Sequence, residues 1–179
     1  MNTTDCDRLF EGAAERVHLF IRMRLGDGLR RDHDSLDVLQ EAYAQALRSM
    51  GDFEPRGEGA FATWLCRIAE NRIHDLADRR QAAKRRAPGH EVPISAILER
   101  ARASAGPATA AARRERNERL EGSIARLPED ERAAVLQRWF EDRTVDEIAA
   151  RLGRSPSAVR RLLGRAIAAI GEELRDVAL

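Results

Sequence analysis

The chain has 179 residues, room for one large or two small domains, and its 31 Lys and Arg nearly balance 30 Asp and Glu for a net charge of +1. Aromatic residues are only 4% of the total, Ala, Leu and Arg abound, and no stretch alternates apolar with polar, so an all-α fold is expected. Met1 to Asp7 is too polar for a signal peptide, and no apolar run approaches the ~18 residues of a membrane helix. Membrane insertion is therefore not expected. Cys6 and Cys66 offer no disulfide framework, which fits a reducing cytoplasm. His18, His33, His74 and His90 show no ligand spacing, and neither a metal nor another cofactor is expected.

Leu9, Phe10, Ala13, Val17, Phe20, Ile21 and Leu25 recur at helical spacing and predict a first helix over about 7–25. Gly26, Asp27 and Gly28 break it. Leu36, Leu39, Tyr43, Leu47 and Met50 then step by three and four, predicting a second helix that Gly51 stops. Pro55, Gly57 and Gly59 make the stretch from Phe53 to Gly59 a loop. Phe61, Trp64, Leu65, Ile68, Ile73 and Leu76 line a further helix that runs into the basic tail Arg79–Arg86. Cys66 lies on this apolar helix as a small core residue. A first helical domain is thus expected over 1–86.

Residues 87–118 read as a flexible linker, interrupted by Pro88, Gly89, Pro93, Gly106 and Pro107 and too poor in apolar groups for a core. A second domain over 119–179 begins with Leu120, Ile124 and Leu127. Its next helix opens at Pro128 with Glu129, Asp130 and Glu131 in the first turn, where the helix dipole favours negative charge. Val135, Leu136, Trp139 and Phe140 are expected to give the face on which the last two helices pack.

Those last two helices carry the strongest local signals. Thr144 and Glu147 form a capping box. Val145, Ile148, Ala149 and Leu152 share one face, and Gly153 suits the left-handed position that closes a helix. Ser155 is a good N-cap and Pro156 a good first residue for the next helix. Val159, Leu162, Leu163 and Ile170 form its buried side, leaving Ser157, Arg160, Arg161 and Arg165 outside. A helix-turn-helix is predicted, with the second helix free to enter a major groove.

An ordinary helical hairpin would satisfy the same spacing, but the charge argues for DNA. Arg151, Arg154, Arg160, Arg161 and Arg165 fall between 151 and 165 with no Asp or Glu among them, the footprint of phosphate binding. Charge is segregated along the chain as well: 8 basic and 12 acidic residues in 1–66, 13 and 7 in 67–119, 10 and 11 in 120–179. The acidic front is available to a protein partner, and the field near the contact face matters more than the overall charge.

The two modules together resemble the extracytoplasmic-function sigma factors, the minimal two-domain sigma-70 factors of bacterial RNA polymerase. Asp37-Val38-Leu39-Gln40-Glu41 is similar to the signature that opens the family's second conserved region. Phe53 to Gly57, Phe61, Trp64-Leu65, Arg67-Ile68-Ala69 and Asn71-Arg72 follow in matching order and spacing. Arg126-Leu127-Pro128, Glu131-Arg132, Glu147-Ile148-Ala149, Leu152-Gly153, Ser157, Val159 and Arg165-Ala166 resemble the fourth.

The resemblance implies a factor that is not an enzyme, with core RNA polymerase and promoter DNA as partners and an anti-sigma factor left open as a third. Asp37, Gln40 and Glu41, which on residue type alone form a solvated polar stripe, become the surface that docks on the polymerase. The helix after residue 60 becomes the −10 reader, with Arg67, Asn71, His74, Arg79 and Arg80 as its candidate contacts. The loop Asp52–Gly59 would hold a flipped base, with Phe53, Glu54 and Arg56 not distinguished from one another. Ser155, Ser157, Arg160, Arg161 and Arg165 become candidates for the −35 element. Leu162, Gly164 and Ile167 depart from the family, where basic or polar residues are usual. With glycine costing ~1 kcal/mol inside a helix, a shorter or more weakly bound recognition helix is expected. The rival reading is a stand-alone helix-turn-helix regulator, which would bind duplex DNA tightly without polymerase.

Overall fold

The structure is a computed structural model that describes residues 3–55, 57, 59–83 and 107–176. Among them there are eight α-helices and no strand. The chain divides into two compact units, Met1–Pro107 and Ala108–Leu179.

The first unit is built from α1 (Thr3–Arg24), a single turn α2 (Asp27–Arg30), α3 (Ser35–Arg48) and α4 (Ala60–Ala83). The helical turn α2 occupies the place where the glycines predict only a break. Asp34 caps α3, its carboxylate accepting from the Leu36 amide at 2.8 Å. α4 packs on both α1 and α3. Phe10, Val17, Phe20, Ile21, Leu39 and Leu65 are almost wholly buried there, each worth roughly 1.5–3 kcal/mol of transfer free energy. Leu47, expected on the apolar side of α3, is instead 45% exposed. It lies in the last turn of α3, at the edge of the apolar arc, where period alone does not separate inside from outside. Cys66 is buried, as its place on the stripe requires.

The second unit holds α5 (Pro107–Ala125), α6 (Glu129–Trp139), α7 (Val145–Leu152) and α8 (Pro156–Asp176). α5 starts inside the stretch read as linker, so residues 107–118 are helical; residues 84–106 lie outside the described residues. Its exposed half has no apolar stripe to betray it. Alanine and i,i+4 pairs such as Glu115–Arg119 suffice for a solvated helix. α6 packs on α8, and α7 packs on both. Val159 and Ala166 on α8 are fully buried, with Leu162 and Leu163 nearly so. Trp139, expected among the packing residues, is 44% exposed. As the final residue of α6 it sits past the buried run Ala134–Gln137. α8 runs unbroken through Gly164 for 21 residues, so the expected shortening does not occur. One glycine's ~1 kcal/mol is small beside the packing of four apolar side chains.

A two-point ion pair fastens the end of α5 to α8. Arg126 donates from Nε to Glu173 Oε1 at 2.8 Å and from Nη2 to Oε2 at 2.5 Å. Hydrogen bonds from Arg126 and then Ser123 bring the Glu173 carboxyl from 4.5 down to about 2, while desolvation acts weakly the other way. Because the folded value is the lower one, the contribution is fully present above pH 4.5 and is lost as pH falls toward 2. An NMR titration of the Glu173 carboxyl should show that depressed midpoint, and Arg126→Ala should return it to the ordinary carboxylate range. A normal midpoint in the unsubstituted chain would contradict the clasp.

Candidate functional site

The helix-turn-helix is built as its local chemistry dictates. Thr144 Oγ1 accepts from the Glu147 amide at 3.2 Å, and Glu147 Oε2 accepts from the Thr144 amide at 2.7 Å, which closes the capping box. Gly153 takes φ 62°, a left-handed conformation in which a Cβ would be strained. Ser155 Oγ accepts from the Ala158 amide at 3.2 Å and lies 3.1 Å from Ser157 Oγ. Ser155 is therefore engaged as a cap, and Ser157 is the more available of the two hydroxyls.

The five arginines of this segment fall into two groups. Arg151, Arg160 and Arg161 are exposed, and no ion pair or hydrogen bond holds them among the described residues. Arg154 and Arg165 are held. Arg154 Nη2 donates to Asp130 at 2.7 Å, and Arg165 Nε donates to Glu131 Oε1 at 2.7 Å. The two acceptors are neighbours in the first turn of α6, where sequence analysis assigned them to the helix dipole alone. The outer face of α8 thus combines unheld cations with one whose direction is set.

In the first unit Asp37 and Glu41 are exposed on α3 and Gln40 is half-buried, so the three form one polar stripe. Glu41 is not simply solvated: its carboxylate accepts from Arg72 on α4. On α4, Arg67, Asn71, His74 and Arg79 are all exposed, while the Arg80 side chain lies outside the described residues. The structure therefore brings Arg67, Asn71, His74 and Arg79 to the surface of one helix, as the spacing predicts.

What spacing did not reveal is the carboxylate beneath them. Glu70 is 1% exposed, and Arg24 at the end of α1 grips it from Nε at 2.9 and 2.7 Å and from Nη2 at 2.6 Å. His74 Nε2 lies 2.9 Å from the same carboxylate. The available signal was an acidic residue between Cys66 and Ile73 on the buried stripe. Nothing in the sequence names its partner, 46 residues away.

At the start of α4 the loop side chain Phe53 packs on Phe61 and Trp64, with ring centroids 5.3 and 5.2 Å apart. Gly57 and Gly59 take φ of 88° and 77°, which explains their place in this loop. Of the three loop candidates, Phe53 is half-buried and Glu54 exposed, and Arg56 lies outside the described residues. No group of three or more His, Cys, Asp or Glu is placed to hold a metal ion among the described residues. No described helix is long and apolar enough to cross a membrane.

Removing Arg24 takes a three-bond guanidinium from a carboxylate that stays buried, with His74 still beside it, whereas removing the Glu70 charge leaves a guanidinium that can reach water. Arg24→Met should therefore cost about 3–5 kcal/mol in chemical unfolding, and Glu70→Gln distinctly less. Equal losses would contradict the burial asymmetry.

Comparison with known proteins agrees with this arrangement. Residues 9–83 match the family described as Sigma-70 region 2, and residues 117–170 match Sigma-70, region 4. The chain is 35% identical over 161 residues to the RNA polymerase sigma-H factor of Pseudomonas aeruginosa, covering 86% of this chain and 81% of that protein. It is 33% identical over 151 residues to the ECF RNA polymerase sigma-E factor of Escherichia coli, covering 80% and 75%. Similarity to the ECF RNA polymerase sigma factor BldN of Streptomyces coelicolor is 26% over 169 residues, covering 94% of this chain and 60% of that longer protein.

Proposed function

Because this chain belongs to the extracytoplasmic-function group of sigma-70 factors, we propose that its two units divide promoter recognition between them, residues 1–86 at the −10 element and residues 119–179 at the −35 element. The chain directs promoter-specific transcription initiation by RNA polymerase. The observation that carries the division of labour is the outer face of α8, where Arg160 and Arg161 stand exposed and unheld on a capped helix-turn-helix.

Ser157, Arg160, Arg161 and Arg165, with Ser155 at the cap, contact the −35 duplex. An arginine paired to guanine contributes ~1–3 kcal/mol of discrimination, and contacts to phosphate set register. Arg67, Asn71, His74, Arg79 and Arg80 contact the −10 region. Extruding a base costs a few kcal/mol of stacking, so a loop that accepts the base shifts the duplex toward the open state. Phe53, held edge-on against Phe61, gives the Asp52–Gly59 loop a fixed floor for that purpose. Asp37, Gln40 and Glu41 dock on core polymerase, in keeping with the acidic balance of residues 1–66.

Strand opening in this reading is driven by binding energy, with no catalytic residue and no cofactor. It takes place in the cytoplasm, where polymerase and DNA meet. An anti-sigma factor would compete for these same surfaces.

Transcription from a promoter library with added core polymerase tests the proposal directly. Asp37→Ala combined with Gln40→Ala should weaken association with core and leave the fold intact; unchanged affinity would remove the docking assignment. Arg160→Ala should lower promoter binding and reduce the salt slope by about 1 if its contact is to phosphate. An identical slope and identical sequence preference would refute the contact.

A further inference from the structure

From the two carboxylates at the start of α6 we infer that Glu131 is a positioning residue for promoter binding, fixing Arg165 as a phosphate clamp rather than a base reader. This rests on the −35 reading of the second unit and adds to it a distinct role for each arginine. Glu131 is nearly buried, with 9% of its side chain exposed, while Arg165 is 59% exposed. The single bond joining them uses Nε alone. The terminal nitrogens of the guanidinium therefore remain at the surface, aimed by an anchor that cannot swing. Nothing comparable holds Arg160 or Arg161 among the described residues.

Position separates the roles further. In a helix-turn-helix the first residues of the second helix reach base edges. Arg160 and Arg161 lie in the first turns of α8. Arg165 lies about 13 Å along the axis from Pro156, on the flank that faces α6. Arg154, in the turn before α8, is held by Asp130 through one terminal nitrogen, Nη2, in a pair whose carboxylate is far more exposed, at 43% against 9%. The segment that enters the groove is thus bracketed by two arginines anchored on consecutive residues of α6. Such a bracket suits the two backbone walls of a groove, where contacts fix register and carry no sequence information. A guanidinium held in place also loses less freedom on forming its forked contact to phosphate.

The test uses the full chain with core polymerase on a promoter duplex selected from a random library by the unsubstituted holoenzyme. Arg165→Ala should weaken every promoter variant alike and reduce the salt slope by about 0.9, the contribution of one phosphate. Glu131→Ala should weaken binding severalfold with the slope retained, because the cation is still present but no longer aimed. The double substitution should be no worse than Arg165→Ala alone. Glu131→Gln, which keeps an acceptor for Nε, should restore most of the affinity. If Arg165→Ala fails to fold, Arg165→Lys should keep the slope but lose affinity. An unchanged slope in Arg165→Ala, undiminished binding by Glu131→Ala or Arg165→Lys, or relaxed preference at a single base pair would overturn the clamp and leave the −35 reading standing. A holoenzyme that selects no −35 sequence would overturn both.

Discussion

A carboxylate withdrawn from water must meet a cation, and in each unit that requirement sets the helix proposed to face the promoter. Glu70 on α4 is held by Arg24 of α1. Glu131 on α6 holds Arg165 of α8. Apolar packing is non-directional and tolerates small rotations of a helix about its axis. A guanidinium bonded at 2.6–2.9 Å does not. With Glu70 turned inward and gripped, Arg67, Asn71 and His74 are turned outward. With Arg165 gripped, the part of α8 that carries Arg160 and Arg161 is turned to the surface, where both side chains are exposed.

These pairs are poor candidates for a large net gain in stability. The desolvation of a buried charge roughly cancels its Coulombic reward, and apolar replacements of the same shape are often neutral or better. What they supply is orientation. In the proposed reading the nucleic-acid contacts fall on α4 and α8, and a neighbouring helix in each unit, α1 or α6, sets their rotation. A net charge of +1 is compatible with that proposal, because the field near a contact face matters more than the overall charge.

How much of this was legible in the sequence follows from the range of each interaction. The capping box at Thr144 and Glu147, the left-handed Gly153 and the Ser155–Pro156 start all depend on neighbours within four residues, and all are present in the structure. The apolar stripes of α1, α4 and α8 were equally readable, because many positions vote on one period. Single positions at the edge of a stripe were not, which is why Leu47 and Trp139 were placed inside and are found at the surface. The helix through residues 107–118 was missed for a different reason. It was sought by the apolar face it lacks, whereas alanine and charge pairing are enough for it. Separations of 46 and 34 residues hid the partners of Glu70 and Glu131.

The departures from the family in α8 can now be weighed. Leu162 stands where the resemblance implies a basic or polar residue, at a position that proves to be buried, so it adds to the core. Gly164 sits exposed within a continuous helix, where an added Cβ would meet nothing within 4 Å. Its cost falls on helix propensity alone, and the packing of Leu162, Leu163 and Ala166 on either side absorbs it. Ile167 is the departure that bears on the surface, since it is 54% exposed and offers no hydrogen-bonding group to DNA. The contact face proposed for α8 is therefore narrower than the one the resemblance implies, not shorter. A narrower face places more of the register on fewer cations, and such cations gain most from being held in a fixed direction.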